Sequence, residues 1–68
     1  MRINRVVLAA EMARREWTGK RLSEVSGVSR VTLSAVRGGK AIAPKTAEKI
    51  AGALGVPVDQ LVEVNSDS

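Results

Sequence analysis

The sequence predicts an all-α fold: a compact bundle of about five short helices in one small domain. Three observations predict it. Apolar residues recur at helical spacing, most plainly Ala47, Ile50, Ala51 and Leu54 at i, i+3, i+4 and i+7. Helix starts and stops punctuate the chain at short intervals, with Thr18, Ser29 and Pro44 as openers and Gly27, Gly38-Gly39 and Gly55 as closers. No segment of the body alternates apolar and polar residues over the length of a strand.

Residues 4–16 are rich in helix formers and contain neither Gly nor Pro. Ile3, Val6, Val7, Ala10, Ala13 and Trp17 make one apolar stripe there, with Leu8 and Met12 on the opposite side. A helix apolar on two faces is either sandwiched in the fold or shared with a partner. Thr18 suits the N-cap of a second helix over 20–26, with Leu22 and Val25 facing inward and Gly27 as its stop. Ser29 caps a third helix over 30–37, which turns Leu33 and Val36 inward. Pro44 opens a fourth helix that ends before Gly55. Gly52 inside it costs about 1 kcal/mol relative to Ala and hints at close packing. Pro57 opens a short fifth helix to residue 62, burying Leu61. A tiny β-ribbon is expected to pair residues 2–4 with 62–64, since both alternate and both sit at termini. The domain is expected to cover 1–64, followed by a polar tail over 65–68.

A 68-residue chain has room for one core of modest size. It contains no Cys and no His, so disulfides and thiolate or imidazole metal sites are excluded, and the acids are not clustered for a carboxylate site. Self-association is the remaining source of extra stability. Without His, Cys or Tyr, and with no convergent carboxylates, the chain is not expected to be an enzyme or to carry a cofactor. Neither a membrane span nor a signal peptide is visible, so a cytoplasmic protein is expected. The net charge is +4, and it is unevenly placed. Between Thr18 and Thr46 stand six bases (Lys20, Arg21, Arg30, Arg37, Lys40, Lys45) against one acid, Glu24, a local net of +5. Such a localised basic field points to a polyanion partner, or to an ordinary solvated surface.

The second and third helices are separated only by Gly27-Val28-Ser29, a three-residue turn with Gly first. That is helix-turn-helix spacing. Gly27 lets the chain leave the second helix through a left-handed conformation, and Val28 plugs the corner. Residues 8–61, above all "GVSRVTLS" and "EKIAGALGV", resemble the Cro/phage-repressor-type (xenobiotic-response-element) helix-turn-helix family of bacterial transcription factors. The lac-repressor-type family is similar at "VSRVTLS", but there the motif opens the chain, whereas here a full helix precedes it. The resemblance implies a five-helix, lambda-repressor-like domain that binds operator DNA, usually as a homodimer, with the helix after Ser29 in the major groove. Two features depart from the family's pattern. Its usual phosphate-binding Gln at the start of the second helix is Gly19 here, and its common pair of a first-helix Arg with a third-helix Glu is Met12 and Arg37.

On this reading Arg30, Val31, Ser34 and Ala35 are the candidate base contacts. Arg30 can bond guanine bidentately, and the small aliphatics can meet thymine methyls. Lys20, Arg21, Ser29, Thr32, Arg37, Lys40 and Lys45 are the candidate phosphate contacts, which set register and salt dependence rather than sequence choice. The Gly38-Gly39-Lys40 loop is a further candidate for offering backbone N–H groups to a phosphate. Trp17, the sole aromatic, is expected to pack in the core rather than stack on a base. The leading function is a sequence-specific, homodimeric DNA-binding regulator, a repressor on a near-palindromic operator in double-stranded DNA. The second is a protein-interaction module on the same fold, of the antitoxin or antirepressor kind.

Overall fold

The computed structural model describes residues 1–63. Five helices follow one another: α1 (Arg5–Arg15), α2 (Gly19–Ser26), α3 (Arg30–Arg37), α4 (Pro44–Leu54) and α5 (Val58–Leu61). Their ends follow local chemistry. Asn4 caps α1, its side-chain oxygen accepting from the N–H groups of Val6 (3.0 Å) and Val7 (3.2 Å). Thr18 caps α2 by accepting from Arg21 N–H at 3.2 Å, and Ser29 caps α3 by accepting from Thr32 N–H at 3.1 Å. Pro44 is the first residue of α4, where its missing N–H removes nothing the helix needs.

α4 runs through the middle of the molecule. Ala47, Ile50, Ala51 and Leu54 are all buried, packed among Leu8, Leu22, Val36 and Leu61. α2 and α5 pack against α4, and α2 also packs against α3. The buried set contains no polar or charged residue among the described residues.

Of the two apolar faces of the first helix, packing chooses the one that carries Leu8 and Met12. Leu8 and Met12 face the core, whereas Val6 is 79% exposed and Ala10 and Ala13 lie in solvent. Of the other face, Val7 packs half-buried against the core from within the helix, and Ile3 and Trp17 reach the core from outside it. Ile3 is placed by strand-like pairing before α1, and Trp17 by a reversal at Glu16, which closes the helix in left-handed conformation (φ 55°).

Two further positions differ from expectation. Val25 is exposed at 42% rather than inward. The inward stripe of α2 is Gly19, Leu22, Ser23 and Ser26 at i, i+3, i+4 and i+7, the two serine hydroxyls bonding the Val28 and Leu22 carbonyls, and Val25 falls outside it. Gly52 is not a close-packing residue either, since a Cβ there would meet nothing within 4 Å.

The expected ribbon is reduced to one antiparallel bridge, Ile3 with Val62. Asn4 N–H donates to the Leu61 carbonyl and Glu63 N–H to that of Arg2, each at 2.8 Å. Val64, the third residue expected in the ribbon, and the tail 65–68 lie outside the described residues. The first residues do more than pair with the last: Ile42 N–H donates to the Met1 carbonyl at 2.7 Å, tying down the loop before α4.

Candidate nucleic-acid interface

The α2–turn–α3 unit is held by its own small side chains. Gly27 closes α2 at φ 74°, a left-handed conformation that costs a residue with a Cβ about 1–2 kcal/mol. Ser26 Oγ donates to the Leu22 carbonyl (2.7 Å) and accepts from Val28 N–H (3.2 Å), while Ser23 Oγ donates to the Val28 carbonyl (2.6 Å). The polar groups freed by the turn are thus partnered within it. Val28, with both backbone groups bonded, is free to bury its side chain in the corner.

With Leu33 and Val36 committed to the core, the rest of α3 turns outward. Arg30, Val31, Ser34 and Arg37 are exposed, Val31 at 81%, and Ala35 and Thr32 are half-buried. The face divides along its length. Arg30, Ser34 and Arg37 follow i, i+4, i+7 spacing along one flank, and Val31 and Ala35 lie together on the other. The Thr32 hydroxyl is not isolated, because it accepts from Ser29 Oγ at 3.0 Å.

The basic residues around this face differ in how far other groups occupy them. Arg21 lies 3.9 Å from Glu24, with both side chains more than half exposed, a pairing of little strength. Lys20, Arg30, Arg37, Lys40 and Lys45 have no ion-pair partner among the described residues. The Gly38-Gly39-Lys40 loop offers no backbone donors. Gly39 N–H bonds the Val36 carbonyl and Lys40 N–H the Ala35 carbonyl, both at 3.0 Å, and Gly38 N–H bonds those of Ser34 and Ala35. Those donors complete the end of α3, which leaves Lys40's side chain as the loop's only cation.

Two arginines outside the basic window acquire defined positions. Arg5 lies beside the loop, its guanidinium carbon 3.8 Å from where a Cβ on Gly39 would stand. No local pattern announces this approach, which depends on how α1 packs against the end of α3. Arg15 is drawn the other way. It pairs with Glu11 at 2.7 Å, donates to the Leu54 carbonyl at the end of α4, and lies 5.8 Å from the Trp17 ring centre. Trp17 is half-buried against the core. A groove of about 640 Å3 lies beside α1, lined by Val6, Ala9, Met12 and Trp17 together with Arg5 and, from the end of α3, Arg37.

A helix-turn-helix with an exposed, cationic third helix defines the class, a DNA-binding regulatory domain. The family follows from the chain itself. A helix-turn-helix family model matches residues 8–61, and the protein belongs to the Cro/phage-repressor-type helix-turn-helix family, whose members are DNA-binding transcription regulators. A solved structure of a mutant hydroxyethylphosphonate dioxygenase superposes with a TM-score of 0.82 at 29% identity. The match covers 96% of this chain but 14% of that one, so the fold recurs there as a small part of a larger protein. No curated protein matches the chain. Among the described residues no helix is long and apolar enough to cross a membrane, and no three His, Cys, Asp or Glu side chains gather as a metal site would require.

Proposed function

We propose that the protein is a sequence-specific transcriptional repressor that binds a near-palindromic operator as a homodimer, with α3 in the major groove of each half-site. The observation that supports this most is the makeup of α3's outer face. It presents one long cation, Arg30, beside side chains small enough at Val31, Ser34 and Ala35 for close approach to base edges. Lys20, Arg21, Ser29, Thr32, Arg37, Lys40 and Lys45 surround that face and grip the phosphates, fixing register. A homodimer places two α3 helices about 34 Å apart, one helical turn of DNA. A regulator of this kind works in the cytoplasm, needs no cofactor and performs no catalysis.

Selection from a random-sequence duplex library, read by electrophoretic shift, tests this reading. Enrichment of two-fold related half-sites is the expected result. Failure to enrich any motif at low salt would sink it.

One observation favours a second reading, a protein-interaction module of the antitoxin or antirepressor kind. Val6 is 79% exposed at the rim of the apolar groove on α1, a surface that a partner could cover. Stoichiometric capture of a protein partner by a chain that binds no DNA alone would favour it. An antitoxin that also represses its own operon would satisfy both.

A further inference from the structure

The groove beside α1 joins two kinds of surface. Val6, Ala9 and Ala13 expose aliphatic side chains to it, with Leu8 and Met12 buried beneath and Trp17 half-buried against the core. The other two lining residues are Arg5 and Arg37, both exposed and neither with an ion-pair partner among the described residues. No lining residue is acidic. The carboxylate of Glu11, also on α1, is already held by Arg14 and Arg15.

Apolar surface left in water favours a cover, and two unpaired cations favour an acidic one. The groove is an open trough, since Val6 is 79% exposed and Ala9 and Ala13 also lie in solvent. A small molecule there would stay largely wet, whereas a polypeptide covers the trough along its length. A second copy is a poor fit. A two-fold contact through this face would set the arginines of both copies together, with no acid in the lining to answer them. Arg37 is also the one residue common to this groove and to the hollow of about 430 Å3 that Arg30 and Ser34 line on α3. A guanidinium that pairs with an anion on one side is withdrawn from the other.

We propose that the α1 groove docks an acidic, apolar segment of a partner protein, and that this docking weakens operator binding through Arg37. Apolar side chains of the segment cover Val6, Ala9 and Trp17, while its carboxylates pair with Arg5 and Arg37. The pair at Arg37 withdraws a cation from the DNA-facing side, and the segment adds negative charge next to the duplex backbone. Coupling of this kind is reciprocal, so a bound duplex weakens the segment by the same factor. The docking stands on the groove and gives the protein-interaction reading a surface and a partner chemistry; its effect on DNA rests on the DNA-binding reading above.

Trp17 is the sole aromatic residue of the chain, so its emission reports on the groove it lines. The probes are Trp-free peptides selected against the protein from a random display library. Selected peptides are expected to combine apolar residues with Asp or Glu, and to shift Trp17 emission to shorter wavelength as they bind. Val6→Asp, at an exposed position in the first turn of α1, should melt with the parent yet weaken the peptide about tenfold or more. Arg5→Gln should weaken it about three- to tenfold. A saturating peptide should weaken a selected operator duplex about five- to tenfold, and the duplex should weaken the peptide equally. Arg37→Ala should shrink that mutual effect to within about twofold. A library that yields no binder, selected peptides without acids, unchanged Trp17 emission, or full peptide affinity in Val6→Asp would overturn the docking site. Dimers of the parent that Val6→Asp dissolves would overturn it too, since a second copy would then fill the groove. Equal duplex affinity with and without the peptide would overturn the coupling. A parent that selects no duplex would instead overturn the DNA-binding reading, while the peptide measurements still decide the groove.

Discussion

Single side chains in this domain divide into those that hold the fold and those left for a partner, and the division is not by residue type. Arg15 and Arg30 are both arginines in short helices, yet Arg15 is spent on Glu11, Leu54 and Trp17 while Arg30 is spent on nothing inside the molecule. Arg15→Ala should therefore cost about 1.5–3 kcal/mol of stability, the range for hydrogen bonds to charged groups, in a denaturant melt that leaves Arg30→Ala within about 0.5 kcal/mol of the parent. Glu16 presents the opposite case, a residue with a Cβ in left-handed conformation. Glu16→Gly relieves that cost and should raise stability by up to about 1 kcal/mol, and a lower melting temperature would contradict it. The sequence displayed the unspent residues well, because Arg30, Val31 and Ser34 follow from where Leu33 and Val36 point. It did not display Arg5 or Arg15, whose surroundings come from residues distant along the chain.

At the level of elements, the ends of α2, α3 and α4 were readable because their causes are local. Thr18, Ser29, Pro44, Gly27 and Gly55 act on backbone groups within four residues, and each stands where its chemistry requires. Periodicity left α1 open between two faces, and packing settles it: Leu8 and Met12 go inward, while Ile3 and Trp17 reach the core from outside the helix. Val25 misled because the inward stripe of α2 runs Gly19, Leu22, Ser23 and Ser26 at i, i+3, i+4 and i+7, which leaves Val25 outside it. Ser23→Ala leaves the Val28 carbonyl short of its 2.6 Å donor and should cost about 1 kcal/mol. If the turn positions α3, the same variant should weaken operator binding beyond what its melt explains. The two arginines of α3 should part company in binding assays. Arg30→Ala is expected to relax preference at one operator position, worth about 1–3 kcal/mol, whereas Arg37→Ala weakens all sequences alike. Identical behaviour of the two would overturn their assignment.

Over the whole molecule, basic and apolar surface adjoin one another, for Arg5 and Arg37 line the groove beside α1. Lys20, Arg30, Arg37 and Lys40 stand on the α2–turn–α3 unit or the loop after it, and Arg2, Arg5, Lys45 and Lys49 elsewhere are equally without an ion-pair partner among the described residues. A chain this small buries a limited core, so association with a second copy would add to its stability. The homodimer reading accordingly predicts a melting temperature that rises with protein concentration; a concentration-independent melt and a complex of one chain per operator would contradict it. The central claim, that the outward face of α3 reads DNA, is tested most directly by amide chemical shifts recorded as a selected operator duplex is added. The account predicts the largest changes at residues 29–40 and at the start of α2, with α5 nearly still. Changes centred instead on Val6, Ala9 and Trp17 would contradict it, placing the working surface on α1.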